Sequence, residues 1–350
     1  MSRAYDVAVV GGGPSGSVSA AHCAKAGLRV VLLEKATFPR DKICGDCLNP
    51  RCWEIFDRLD ISDAIRALPH APIQSVEFIG IQRAPLSIPF PGSGEIAVRR
   101  ALLDDLLLRH AIECGVEVRQ NALVQSVHTG WALQTSVGEI AAKTLIAADG
   151  RNSTIARALR LFPKAQKDRI GLQTHVPLPA GFESKVVLRF LSNGYCGLAP
   201  IGENLLNVCL VARPDRMKNL RAWAEREFRC EKDQTWRSIT PLRRRPVAPA
   251  HPRLFFVGDA ARVVEPFTGE GIFYALATAE LAARCIVENR PLSSYAKEHA
   301  ALYRGRLWIN HLAREAVLHP RIATFALELF RHRPAGLRFL TAKVASPSAA

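Results

Sequence analysis

Two glycine loops and three carboxylates are spread along this chain in an order that suits the holding of a long dinucleotide. Gly11-Gly12-Gly13-Pro14-Ser15-Gly16 comes first, and Glu34 follows it. Asp149-Gly150 lies mid-chain, and Gly258-Asp259 precedes Pro266-Phe267-Thr268-Gly269-Glu270-Gly271. Gly11 permits a tight turn, Gly13 lets the backbone approach a pyrophosphate, and Gly16 lets helix and strand pack closely. The carboxylate of Glu34 can accept hydrogen bonds from both hydroxyls of an adenosine ribose. An acid there, rather than a cation, argues against a ribose 2′-phosphate. Asp259 can hold a ribityl hydroxyl, and Asp149 and Asp259 also suit helix N-caps. A helix beginning after the late loop would aim its free amides at a flavin pyrimidine and stabilise the anionic reduced ring. Together these residues point to FAD.

The surrounding pattern supplies elements to position them. Residues 6–10 read as a buried parallel strand, 18–25 as a helix ended by Gly27, and 29–33 as a second strand closed by Glu34. A helix opens near Arg99-Arg100, with Leu103, Leu106, Leu107 and Ala111 at helical spacing, and strands follow at 114–118 and 122–127. Apolar runs at 144–148 and 254–258 each end in an acid, Asp149 and Asp259. Residues 272–287 form a helix rich in small side chains. This is a doubly wound α/β pattern, with one dinucleotide fingerprint and no second GxGxxG.

Two stretches add a resemblance. Pro39-Arg40-Asp41-Lys42-Ile43-Cys44-Gly45-Asp46, and Gly258-Asp259-Ala260 with Pro266 through Ile272, resemble the geranylgeranyl reductase family of FAD-dependent oxidoreductases. The resemblance covers roughly residues 5 to 290. It implies a p-hydroxybenzoate hydroxylase-like fold: a Rossmann-type FAD-binding domain joined to an antiparallel-sheet substrate domain. It also implies non-covalent FAD and reduction of carbon–carbon double bonds in apolar isoprenoid chains. By position, Gly11, Gly13, Ser15 and Gly16 would hold the pyrophosphate and Glu34 the adenosine ribose. Arg100 would reach the dinucleotide, and Val124 would lie beside the adenine. Cys44 and Gly45 would flank the isoalloxazine, Asp259 would meet the ribityl, and Gly269, Glu270, Gly271 and Ile272 the pyrimidine end. Cys44 is the expected proton donor and Tyr195 a second candidate; the thiol equally suits a space-filling role beside the ring.

One departure concerns the strand above the flavin. The family often carries Tyr-x-Trp-x-Phe-Pro there, and this chain has Tyr195-Cys196-Gly197-Leu198-Ala199-Pro200. A larger cavity or a bulkier substrate is expected. The same strand lacks the tryptophan pair of flavin halogenases. An FAD-dependent monooxygenase acting on an aromatic or polyketide substrate is the alternative activity. A non-catalytic prenyl-binding escort protein is a third, opposed by the intact Glu34 and Gly258-Asp259. NAD(P)H binding transiently, or a ferredoxin, would supply electrons.

The FAD domain is expected to be discontinuous, over 1–60, 95–160 and 248–290, with a substrate sheet from 61–94 and 161–247. Strand character marks 73–90, 171–176, 185–190, 195–199 and 204–211, and 221–228 reads as a helix. Leu242-Arg243-Arg244-Arg245-Pro246 is a basic connector, either solvated or facing a diphosphate or lipid headgroup. A helical segment fills 291–350. There Ile322, Phe325, Ala326, Leu329 and Phe330 share a face beside Arg331, Arg333, Arg338 and Lys343. That face suits either a clasp on the FAD domain or an interfacial helix on an anionic membrane.

Bulk properties narrow the class. With 48% apolar and 23% charged residues among 350, the chain reads as globular, apart from a short Ala/Ser/Pro tail at 346–350. Forty-seven Lys and Arg against 32 Asp and Glu give +15. That excess suits an anionic membrane or substrate, or records an Arg-favouring genome; no nucleic-acid motif accompanies it. The longest apolar candidate, 271–287, carries Glu280 and Arg284, so no membrane span is expected. An immediate first strand leaves no room for a secretory signal. Nine scattered cysteines fit reduced thiols in a cytoplasm, and the lone Cys44-x-x-Cys47 pair lacks partners for a metal. The expected setting is cytoplasmic, with the C-terminal segment as the candidate contact to the inner face of the membrane.

Overall fold

The structure, a computed structural model, describes residues 5–92, 94–163, 165–166 and 169–345; the tail at 346–350 lies outside them. Its frame is an eight-stranded sheet whose parallel centre runs 254–256, 138–147, 5–10, 30–33 and 117–119 in space. Tyr5–Val10 pairs with Val30–Leu33 on one side and Gly138–Ala147 on the other, so the strand order reverses around it. Both faces are covered. Val7, Val9, Val30 and Leu32 pack on the helices Pro14–Lys25 and Gly271–Val287, while Ala8, Val10, Val31 and Leu33 fill a second core opposite. The near-continuous apolar strands thus follow from burial on two sides.

The second sheet has seven strands, ordered 237–239, 170–177, 205–212, 194–200, 185–191, 75–79 and 85–89. It is antiparallel except where Lys185–Leu191 runs parallel to Ser75–Ile79. The helix Pro214–Glu227, with Pro214 in its first turn, covers one face through Met217, Leu220 and Ala224. It starts earlier than the expected 221–228 because charged residues on its outer side hide the periodicity.

The expected single stretch 73–90 divides. His70–Ile73 joins Glu95–Val98 and Cys47–Leu48 in a separate three-stranded sheet, and only the rest enters the large sheet. A run of four residues carries too little alternation to announce such a strand.

The C-terminal segment folds into four helices: Leu292–Leu302, Leu307–Leu318, Pro320–His332 and Ala335–Ala345. The helix Pro320–His332 corrects the expected clasp. It docks on the second sheet, not the FAD domain, through Ala323, Thr324 and Leu327. The Thr324 hydroxyl accepts from Ile81 N, and a Cβ on Gly80 would lie 2.9 Å from Thr324 Cγ2. Small residues on both sides permit this close approach. The bulkier face, with Ile322 and Phe325 both 67% exposed and Leu329 58%, is left outside.

Candidate functional site

The C-terminal ends of Tyr5–Val10, Val30–Leu33, Gly138–Ala147 and Leu254–Phe256 open on one cavity of about 1180 Å3, which continues beneath the second sheet. A ligand crevice at this edge is what a strand-order reversal creates. Gly11 sits there at φ +105°, where a Cβ would lie 2.5 Å from Ala148 O. Gly13 caps the helix Pro14–Lys25 without any side-chain cap, so its first-turn N–H groups, including that of Ser15, remain available to an anion. Gly16 does not line the cavity; a Cβ there would meet Gly11 O at 1.7 Å, so its part is packing. Glu34 lies on the cavity wall and is 5% exposed. It accepts from Gly12 N at 2.7 Å and Ala36 N at 2.9 Å, bracing the glycine loop. Val124 lines the same end of the cavity as Ala122 and Leu123.

A cationic wall follows. Arg100 donates to both oxygens of fully buried Asp104 at 2.8 and 2.9 Å, and Arg40 reaches Asp104 Oδ2 at 3.1 Å. Lys42, though exposed, lines the cavity near Arg100, Arg40 and Arg151, and partial desolvation together with those charges depresses its ammonium to about 8. Arg151 donates to Asp259 Oδ2 at 2.9 Å. Asp149 accepts from Ile155 N through one oxygen, while the buried Oδ1 finds no partner among the described residues.

The Cys44 loop is held by the second sheet. Asn207 Nδ2, Gln173 Nε2 and Cys209 Sγ donate to Cys44 O at 2.8, 3.0 and 3.3 Å. Asn207 also donates at 2.8 Å to Oδ2 of buried Asp46, which adopts φ 61°. Gln173 and Asn207 occupy adjacent, paired strands, so the sheet clamps the loop at two points. Burial pushes the Cys44 thiol up despite the neighbouring Arg100, and it stays protonated. Tyr195 is 4% exposed with its ring edge-on to Phe267, 5.3 Å between centroids, and burial raises its phenol as well. Gly197 lines this wall closely: a Cβ there would make ordinary contact with Leu188 and Tyr195 side-chain atoms at 3.7 Å.

The late loop carries one correction. Pro266, Gly269, Gly271 and Ile272 line the cavity, with Gly269 at φ +70° and the helix Gly271–Val287 uncapped by side chains. Glu270 does not. Its carboxylate is buried on the far side, 3.6 Å from Arg306 and within 3.4 Å of Tyr274 and Asn310. An acid beside the pyrimidine end would oppose the anionic reduced ring; facing Arg306, it instead ties the loop to the C-terminal helices. Glu265 does the same from the other end, through Arg169 at 2.8 and 2.9 Å and through Asn310 Oδ1, which accepts from its N–H at 2.7 Å.

The site therefore fits FAD. A glycine cradle closed to a Cβ at Gly11 and Gly16, an uncapped helix N-terminus, a cationic wall and the unmet oxygen of Asp149 are what a diphosphate flanked by hydroxyls would satisfy. Residues 4–190, over half the chain, match the FAD binding domain family. The chain is 31% identical over 351 residues to the menaquinone reductase of Mycobacterium tuberculosis, covering 88% of this chain and 79% of that one. It is 30% identical over 338 residues to digeranylgeranylglycerophospholipid reductase 2 of Methanopyrus kandleri, covering 84% and 81%. This chain belongs to the geranylgeranyl reductase family of FAD-dependent oxidoreductases. Its p-hydroxybenzoate hydroxylase-like fold matches a flavin-dependent brominase with a TM-score of 0.78 over 99% of this chain and 96% of that one. At 22% identity that likeness is one of fold alone.

For a member of the geranylgeranyl reductase family, several cavity residues escape sequence reasoning. Lys42 stands within the Pro39–Asp46 stretch and Arg151 just after Asp149-Gly150, yet nothing local shows that they converge with Arg40 and Arg100. Glu95 also lines the cavity; its one signal is an acid heading the apolar run Ile96-Ala97-Val98.

Proposed function

We propose that this protein reduces carbon–carbon double bonds of an apolar, isoprenoid-type substrate. The observation that carries the reading is the far part of the cavity, walled by Val76, Phe78, Leu188, Phe190, Phe267 and Leu327. Such a chamber suits a long hydrocarbon and offers little to orient a small polar one. Two relatives named as reductases support it. FAD, when bound, supplies the two-electron reduction of the double bond. The glycine loop and cationic wall orient the cofactor, the sheet clamp fixes the Cys44 loop, and the aromatic group around Phe267 excludes water. Cys44 and Tyr195 each hold a proton facing this space. NAD(P)H or a ferredoxin would deliver the electrons.

The test is the mass of the product when reduced enzyme meets geranylgeranyl diphosphate with and without oxygen. A gain of hydrogen pairs in the absence of oxygen is expected. Unchanged substrate with rapid peroxide release in air would replace the reading with a monooxygenase.

The same reading places the C-terminal helices on a membrane that dissolves the substrate. Ile322, Phe325 and Leu329 form one exposed helix face; Trp308 and Phe339 are also exposed, joined by Lys343 between their rings. Arg321, Arg331, Arg333 and Arg338 flank these positions. The opposite sides of the same helices, through Ala326, Leu327 and Phe330, line the cavity. Among the described residues no helix is long and apolar enough to cross a membrane, so contact would be interfacial. In flotation with vesicles containing phosphatidylglycerol, Ile322→Asp/Phe325→Asp is expected to lose at least about tenfold in binding, as each aspartate removes apolar burial worth about 1.5–3 kcal/mol. Equal, negligible flotation of both proteins would remove the membrane contact.

A further inference from the structure

Glu95 opens the strand Glu95–Val98, opposite Ile73 in the three-stranded sheet. Its side chain lines the cavity that also holds Cys44 and Gly45, and the residue is 9% exposed. No hydrogen bond or ion pair to its carboxyl is found among the described residues. The titratable groups that feel it are the thiols of half-buried Cys47 and buried Cys52, with buried Asp46 beyond Cys47, and no cation among the described residues faces it. Ala97, on the same face, packs with Ile73 among Phe90 and Val186, so the surroundings are apolar. Burial alone pushes the carboxyl up to about 8. At neutral pH it is an uncharged acid on the cavity wall, where its O–H is open to water or to a bound ligand.

We propose that Glu95 is the acid that protonates the substrate carbon during double-bond reduction, an inference that rests on the reductase reading above. Reduction adds a hydride equivalent and a proton across the double bond. Reduced FAD is the source of the first. For the second, the O–H bond of Glu95 breaks, a C–H bond forms on the other carbon, and the carboxylate left behind regains a proton from solvent. Cys44 and Tyr195 are held above their ordinary values by burial and are weaker acids than Glu95, while the Lys42 ammonium, also at about 8, stands among Arg40, Arg100 and Arg151 rather than in the apolar wall. A donor with proton affinity near the working pH transfers most readily.

The sign of the pH dependence follows. The acid form is active, so turnover is full below about 8 and falls as pH rises through that value. Glu95→Gln keeps size and a hydrogen-bond donor but has no proton to give. It is expected to bind substrate within about twofold of wild type, lose about 100-fold or more in turnover, and lack the alkaline limb. Independently of turnover, infrared titration of 13C-glutamate-labelled wild-type apoprotein is expected to show one protonated carboxyl persisting to about 8. A Glu95→Gln enzyme within a few-fold of wild type and with the same limb overturns the proposal, as does a labelled protein in which every glutamate titrates near its ordinary value. A wild-type enzyme that leaves every double bond intact overturns the reductase reading and this inference together.

Discussion

Gly16→Ala is expected to yield a protein that copurifies with almost no FAD. A Cβ at this position would lie 1.7 Å from Gly11 O and 3.2 Å from Ala148 Cβ. The nearest obstacle is backbone, so no side-chain rotation relieves it. Gly11 has no room to retreat, because it is itself packed against the 148–149 backbone, where a Cβ on it would lie only 2.5 Å from Ala148 O. The start of the helix Pro14–Lys25 must therefore shift, and with it the N–H groups of Gly13 and Ser15 that would face the phosphates of FAD. Hydrogen bonds to charged groups contribute about 1.5–3 kcal/mol each. Losing two weakens FAD binding by at least about 100-fold. Gly13→Ala provides the contrast, since the nearest atom to its Cβ is Arg40 Nη2 at 3.7 Å. The measurement is the flavin-to-protein absorbance ratio, followed by titration of apoprotein with FAD. Near-native affinity in Gly16→Ala would show that helix and strand do not meet as closely as described.

Glu265→Ala is expected to cost about 3–5 kcal/mol of folding stability. Arg169 is completely buried and Glu265 is 6% exposed; the pair makes two parallel hydrogen bonds at 2.8 and 2.9 Å. Removing the carboxylate strips a buried guanidinium of these two charge-assisted hydrogen bonds. The loop 266–269 also loses its anchor, so flavin affinity should fall alongside stability. Replacing both partners, Arg169→Met with Glu265→Leu, removes the charge with its partner and should recover a large part of the loss. Urea unfolding at neutral pH reads both effects. A single replacement costing under about 1 kcal/mol would mean that water reaches the pair.

The Rossmann unit was legible because its signals are local. A strand, a glycine turn, a helix and an acid must follow one another closely for the backbone to close around a phosphate, so their types and order appear within one stretch of sequence. The acids at the ends of 144–148 and 254–258 were legible for the same reason: an apolar run that stops at a carboxylate marks a strand edge. Glu270 was misplaced because loop membership says nothing about direction. Only Arg306 and Asn310, supplied by a distant helix, draw its carboxylate away from the cavity. The helix Pro320–His332 was misjudged for a related reason. Bulk made Ile322, Phe325 and Leu329 look like the packing face, yet Gly80 on a remote strand offers a seat that only the small side of the helix can enter.

By itself, then, the amino-acid sequence determined the class of cofactor, the doubly wound frame and most of the residues that line the crevice at its strand ends, since each depends on neighbours a few positions apart. The tertiary structure decided which groups share the cavity: Lys42 with Arg151, Cys44 beneath Gln173 and Asn207, and Glu95 alone in an apolar wall. Those choices turn on burial and on partners brought together from separate strands. A carboxyl is an ordinary acid until the fold removes its water, and only packing in three dimensions does that.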